Sequence, residues 1–277
     1  MAIEKSKRPA EFGDFELAGW DARIAGYNDA LGDVSRQTAA PMVEAARVKA
    51  GMHVLDVCCG PGMLTQAALE RGARAVGLDF AANVVALAQS LVPRGEFRRG
   101  DAMALPFADG EFDAVICGYG VMHVPDPEKA LREMVRVVRK GGRVALSVWD
   151  STTANHGFGL VYAAARAHGR LEVPLPHGAD FFQFSTDATM RAALADVGLA
   201  NIETRLLPQT WRVKSAAHML NGMVNGTVRA SSMLSAQTPE AMTGIRDFIQ
   251  RTIEGMRNPA GGFDVPLPAL IGSGAKP

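Results

Sequence analysis

The sequence predicts an open α/β fold built on a parallel sheet, and three observations carry that expectation. Across residues 53–143, short β-branched runs alternate with helical patterns, as successive βαβ units do. The first run leads into a glycine turn, Cys59-Gly60-Pro61-Gly62. Acids stand at the ends of successive runs, at Asp56, Asp79 and Asp101.

The elements follow in order. Residues 1–50 read as a helical N-terminal cap, with Trp20, Ile24, Tyr27 and Leu31 at helical spacing and a second helix over 41–49. Gly51 ends that pattern. Strands are expected over 54–58, 75–78, 96–99, 114–117 and 143–149, with a helix over 63–71 and another ending before Pro93. A helix over 127–140 is the best marked: Asp126 caps it, Pro127 opens it, and Glu128 favours the positive end of its dipole. Its apolar stripe is Ala130, Leu131, Met134, Val135 and Val138. Beyond Trp149 the rhythm fades. Helices are expected over 157–168 and 187–197, a strand over 202–213, more helix over 215–257, and a short apolar strand over 266–274.

Composition narrows the function. The 277 residues carry 29 Lys and Arg against 29 Asp and Glu, so bulk positive charge cannot drive nucleic-acid binding or a polybasic membrane contact. An apolar content of 48% is ordinary for a globular chain. No apolar targeting run opens the sequence and no apolar stretch is long enough to span a bilayer, so a cytoplasmic protein without a membrane segment is expected. Cys58, Cys59 and Cys117 lack metal-ligand spacing, and no metal is expected.

The glycine turn has a physical use. Gly60 and Gly62 let a ligand approach the backbone, and the helix that follows presents free N–H groups. The dinucleotide fingerprint fails at Thr65, which replaces its third glycine. Asp79 is placed to take the hydroxyls of a ribose, Asp101 to meet an adenine amino group, and Asp56 to order the turn. Three acids in register with the turn make a ligand-binding edge.

These residues resemble a class I S-adenosylmethionine-dependent methyltransferase, of the group that includes ubiquinone- and menaquinone-biosynthesis-like enzymes. The resemblance rests on 54–62, on Gly77-Leu78-Asp79, and on Gly100-Asp101-Ala102 with Leu105-Pro106-Phe107. Phe112-Asp113 and the stretch 127–149 complete it, so that it covers 52–149. It implies a Rossmann-like, seven-stranded, mostly parallel sheet with an antiparallel last strand. Residues 202–213 would be strand six and 266–274 strand seven, with a helical insertion between them. One methyltransferase domain over 51–277 would then carry a cofactor core at 52–149 and lid insertions at about 151–200 and 215–262. The implied cofactor is S-adenosyl-L-methionine, held by Asp56, Cys58, Gly60, Gly62, Asp79, Phe80, Asp101, Ala102, Tyr119 and Tyr27. Two departures stand out. Cys58 occupies a position where the family often has Gly or Ala, and Phe80-Ala81-Ala82-Asn83 lacks the usual Ser cap.

Methyl transfer from a sulfonium demands alignment and exclusion of water more than a catalytic constellation. A base is needed only for an acceptor that is protonated at working pH. His123, in the loop Gly118-Tyr119-Gly120-Val121-Met122-His123, is the candidate base or hydrogen-bond partner, against a purely structural role. Trp20 and Tyr27 would close over the cofactor or simply pack. Phe181, Phe182, Phe184, Met219, Met223 and Met233 suit either an adaptable pocket or an ordinary core. The expected partner is a small, apolar or aromatic acceptor methylated on O or N, with the protein a monomer or homodimer. Two other readings stay open: a nicotinamide-dependent oxidoreductase, and a protein that binds the cofactor without catalysis.

Overall fold

The computed structural model describes residues 9–154 and 156–277, and the stretch 1–8 lies outside the described residues. Two helices come first, α1 (Pro9–Arg36) and α2 (Ala39–Ala45). The alternating part follows as β1 (His53–Val57), α3 (Met63–Glu70), β2 (Arg74–Asp79), α4 (Ala82–Leu91) and β3 (Glu96–Arg99). It continues through β4 (Phe112–Gly118), α5 (Pro127–Val137) and β5 (Val138–Trp149). Beyond these lie α6 (Gly157–His168), α7 (Asp187–Asp196), β6 (Ala200–Leu207) and β7 (Thr210–Val213). The chain ends its run of elements with α8 (Ala216–Gly226), α9 (Arg229–Ser235), α10 (Pro239–Ile253), β8 (Phe263–Pro266) and β9 (Ala269–Ala275).

Seven strands form one sheet in the order β3-β2-β1-β4-β5-β9-β6. The pairs among β1 to β5 are parallel, and β9 runs antiparallel to both β5 and β6. The central strands are buried on both faces, as parallel strands covered by helices must be. Their side chains alternate between two cores. Val54, Ala114, Ile116 and Ala145 face Met42 and Val43 of α2 and Leu64 and Ala68 of α3. Leu55, Val115, Val144 and Leu146 point the other way, toward Leu131 and Met134 of α5. Asp126 caps α5 as its sequence predicts, its Oδ1 accepting the Lys129 N–H at 2.8 Å.

The structure departs from the sequence expectations in the later half. The expected strand over 202–213 is broken in two. β6 ends at Leu207, and β7 leaves the main sheet to pair antiparallel with β8. Pro208 offers no N–H for a ladder. The buried Gln209 side chain then turns inward, donating to the Val34 carbonyl at 2.7 Å. The expected strand over 266–274 divides likewise between β8 and β9. The helix expected to reach Lys140 stops at Val137, because Val138 is already extended (φ −78°, ψ 139°) and opens β5. In the stretch expected as a lid insertion, α7 packs on β6 and β9 as a layer of the sheet, whereas α6 packs against α10. Among the described residues no helix is long and apolar enough to cross a membrane.

Candidate active site

The strand order reverses between β1 and β4, and in open α/β sheets ligands bind at that switch point, beyond the carboxyl ends of the strands. Both strands leave the sheet there through a non-glycine residue in the left-handed region, Cys58 (φ 56°) and Tyr119 (φ 56°). Such residues cost of order 1–2 kcal/mol each and persist where the surroundings hold them. The turn continues through Gly60 (φ 52°) and Gly62 (φ 83°). A Cβ on Gly60 would meet no protein atom within 4 Å, so the space beside it belongs to the cavity. A Cβ on Gly62 would lie 2.8 Å from the Phe97 ring, so that glycine is needed for packing.

Asp56 is buried beneath this turn. Its Oδ2 accepts the Thr65 N–H at 2.9 Å and the Thr65 hydroxyl at 2.7 Å, which ties the turn to the start of α3. Thr65 thus has a use of its own in place of the missing glycine. The other oxygen, Oδ1, is buried and has no hydrogen-bond partner among the described residues. Burial outweighs the Thr65 bonds and pushes the carboxyl up to about 7. Asp79, at the end of β2, accepts the N–H of Gly60 at 3.1 Å and of Ala81 at 3.2 Å. Burial, opposed by those backbone bonds, pushes it up to about 6. Asp101 is exposed at the rim, where Oδ1 accepts the Met103 N–H at 2.8 Å, and Ala102 beside it is buried.

A cavity of about 750 Å³ joins these residues to α1, α6 and α9. Ten of the eleven site residues expected from the sequence line it: Asp56, Cys58, Gly60, Asp79, Phe80, Asp101, Ala102, Tyr119, His123 and Tyr27. The eleventh, Gly62, does not, because its α-carbon faces the Phe97 ring rather than the cavity. Two of the ten have committed their polar atoms. The Tyr119 hydroxyl donates to Gln209 at 2.7 Å while its ring stacks on Trp149 at 3.8 Å. The Tyr27 hydroxyl pairs with Ser35 at 2.6 Å, and burial pushes it up to about 12. Both tyrosines therefore present ring faces, not hydroxyls. The thiols of Cys58 and Cys59 are pushed well up, Cys58 by its hydrogen bond with Cys117 and by burial, Cys59 chiefly by burial. Neither is a thiolate near neutrality.

The far end of the cavity is aromatic, lined by Trp20, Trp149, Phe158, Tyr162 and Phe181. Of the apolar residues considered for an acceptor pocket, only Phe181 lines it. Met219, Met223, Met233 and Phe184 are buried in the core and Phe182 packs on Phe181, because the stripes they occupy face neighbouring helices. His123 stands at this end, with Nδ1 2.9 Å from Oε2 of Glu16 and its ring edge-on to Trp20 at 4.9 Å. Glu16 is completely buried. It also accepts from Trp20 Nε1 at 3.1 Å and from Arg229 Nε at 2.8 Å. Burial pushes this carboxyl up, but His123 and Arg229 outweigh it and hold the group below its ordinary range. Sequence reasoning passed over both Glu16 and Arg229. Glu16 carried a signal, since it falls one turn before Trp20 on the apolar stripe of α1.

Residues 55–146 match a family model described as a methyltransferase domain. The demethylmenaquinone methyltransferase of Renibacterium salmoninarum is 34% identical over 143 residues, which cover 50% of this chain and 60% of that one. The 2-phytyl-1,4-naphthoquinone methyltransferase of Thermosynechococcus vestitus is 40% identical over 138 residues, or 45% of this chain and 60% of that one. The chain carries a class I S-adenosylmethionine-dependent methyltransferase domain. It spans between 44% and 60% of the length of these and similar curated relatives. The methyltransferase fold recurs in solved structures. The phosphoethanolamine N-methyltransferase 2 of Haemonchus contortus, in complex with phosphomonomethylethanolamine and S-adenosylhomocysteine, superposes with a TM-score of 0.57. It is 19% identical and covers 96% of this chain and 60% of that one. The YcgJ protein of Bacillus subtilis superposes with a TM-score of 0.57 at 22% identity, over 86% of this chain and 97% of that one.

The site of this methyltransferase domain fits S-adenosylmethionine on its own geometry. The open side of Gly60 leaves room against the backbone, and the unpartnered Oδ1 of Asp56 suits a donor such as an ammonium group.

Proposed function

We propose that the protein transfers the methyl group of S-adenosylmethionine to an oxygen or nitrogen of a small ring-bearing acceptor of the quinone type. One observation carries the reading: a single cavity has an acid-lined glycine cradle at one end and an aromatic chamber holding His123 at the other. The names of the curated relatives support a quinone-type ring.

When bound, S-adenosylmethionine supplies a methyl group on a sulfonium whose departure leaves a neutral thioether. Gly60 gives the cofactor room against the turn, Asp79 takes the ribose hydroxyls, and Asp101 with Ala102 flanks the adenine. Asp56, Cys58, Gly62 and Phe80 shape the cradle, and the rings of Tyr27 and Tyr119 wall it. His123 receives the proton of an acceptor hydroxyl through Nε2, which has no hydrogen-bond partner among the described residues, its ring bond to Glu16 being made by Nδ1. The aromatic walls orient the acceptor and keep water out. The part of the N-terminal cap 1–50 that is described, from residue 9 on, and the segments 151–200 and 215–262 serve as the lid of one domain, 51–277, around the core at 52–149. Thr65 weighs against the nicotinamide reading, since both its donors are spent on Asp56.

Calorimetry with S-adenosylmethionine, S-adenosylhomocysteine and NAD tests the cofactor. Binding of the first two and not of NAD is expected, and the reverse sinks the proposal. Labelled-methyl transfer to a panel of naphthohydroquinones and phenols then tests the acceptor. Cofactor binding with no labelled product from that panel or a metabolite extract would favour a non-catalytic binder.

A further inference from the structure

The proposed chemistry leaves one strong interaction unused, the buried Glu16 carboxylate that joins three separate parts of the chain. It reaches His123 after β4, Trp20 on its own helix, and Arg229 at the start of α9. We propose that Glu16 is the positioning residue for His123, fixing the imidazole with Nδ1 protonated and Nε2 bare toward the acceptor. This rests on the proposed methyl transfer to a protonated acceptor.

The carboxylate can only accept, so a neutral His123 beside it must donate from Nδ1, and the lone pair is left on Nε2. Arg229 holds the carboxylate in place from the other side. Its Nε bonds Oε1 of Glu16, its two terminal nitrogens bond the carbonyls of Ala179 at 3.0 Å and Met122 at 2.7 Å, and its guanidinium lies 4.5 Å from the Phe12 ring centre. The Glu16–His123 pair is therefore complete only when α1, the Ala179 segment and α9 are seated together. In the transfer step an acceptor O–H gives its proton to His123 Nε2, and the oxygen pair forms the new bond to the methyl carbon. The carbon–sulfur pair stays on sulfur, and the positive charge ends on the imidazolium. That cation lies against the Glu16 carboxylate, which is why a buried acid is useful at this point.

A Glu16→Gln variant gives a sharp test. Oε2 of Glu16 serves both His123 and Trp20 while Oε1 serves Arg229; the charged guanidinium is the stronger donor and keeps the Gln carbonyl, so the amide NH₂ faces His123 Nδ1 and Trp20 Nε1 gives up its acceptor. Nδ1 must then accept, and the proton moves to Nε2. Side-chain ¹⁵N NMR on the full chain reads the tautomer directly, with His123 assigned by the signal lost in His123→Asn. Neutral wild-type His123 is expected in the Nδ1–H form and the Glu16→Gln variant in the Nε2–H form. A wild-type Nε2–H form overturns the proposal and needs no variant to fold. So does a tautomer that Glu16→Gln leaves unmoved. Calorimetry with S-adenosylmethionine separates the two ideas: no binding by wild type defeats the methyl-transfer reading, whereas binding with the wrong tautomer defeats only the role of Glu16.

Discussion

Asp21 on α1 caps α4, the helix that follows β2, its Oδ1 accepting the backbone N–H of Asn83 at 2.8 Å. The Asn83 side-chain amide returns the contact, donating to the Asp21 carbonyl at 3.0 Å. The residue at the N-cap of α4 itself, Ala81, has no side chain to do this. The cap missing from the local sequence is supplied by α1. Asp21→Ala should therefore cost about 1 kcal/mol of stability, the usual worth of a cap. It should also weaken cofactor binding, because α1 and α4 lose their polar tie beside Asp79. Chemical denaturation and calorimetry on the same variant check both, and unchanged cofactor affinity would uncouple the lid from the cradle.

Asp79→Ala should weaken S-adenosylmethionine binding by about 1.5–3 kcal/mol, the scale of hydrogen bonds to a charged group. The Gly60 N–H loses its acceptor in this variant, so Asp79→Asn is the companion that keeps one. Undiminished affinity in both would remove Asp79 from the ribose site.

The raised carboxyls of Asp79, at about 6, and Asp56, at about 7, make cofactor binding depend on pH. A positively charged ligand favours their ionised forms, so affinity should rise with pH through that range, with protons released on binding. Calorimetric enthalpies in buffers of different ionisation heat measure the release, and proton uptake would contradict the assignment. Without cofactor the sign for stability is opposite. The folded protein binds more protons than the unfolded chain between the ordinary carboxyl range and these values, so Asp56 and Asp79 contribute less stability as pH rises across that window. Asp56→Asn, which keeps an acceptor for Thr65, should stabilise the cofactor-free protein at pH 8 by on the order of 1–3 kcal/mol while weakening binding.

Gly60 and Gly62 should separate function from folding. Gly60→Ala places a methyl in open cavity and should reduce cofactor affinity with only about 1 kcal/mol of backbone strain. Gly62→Ala drives a methyl against Phe97 and should cost more stability than its neighbour. Thermal melts with and without S-adenosylmethionine distinguish the two, and equal losses for both would refute the contrast.

The cradle was legible in the sequence because its parts are local. A strand, a glycine turn and a helix start occupy adjacent residues, and the acids mark strand ends by position alone. The Glu16–His123–Arg229 cluster was not, because it is built from distant pieces. His123 lies 107 residues from Glu16, and Arg229 lies 213 from it. No periodicity in α9 announces that its first residue will reach a buried carboxylate. The methionines illustrate the other limit: an apolar stripe says that a face is covered, not whether helix or cavity covers it. Pro208 stands inside the strand expected over 202–213, a signal for a break that the expectation passed over, and the pull of Gln209 toward Val34 and Tyr119 depends on the folded chain.

The placing of β9 between β5 and β6 also governs how the molecule can be made. On the ribosome β6 emerges before β9, the only strand it pairs with among the described residues, and the edge of β5 stays open until residues 269–275 have been translated. Sheet closure is thus a late event in synthesis, and until then the nascent chain presents a bare strand edge, the kind of surface chaperones shield. A chain interrupted before Ala269 would keep its glycine turn and still lack the strand that joins β6 to the rest of the sheet.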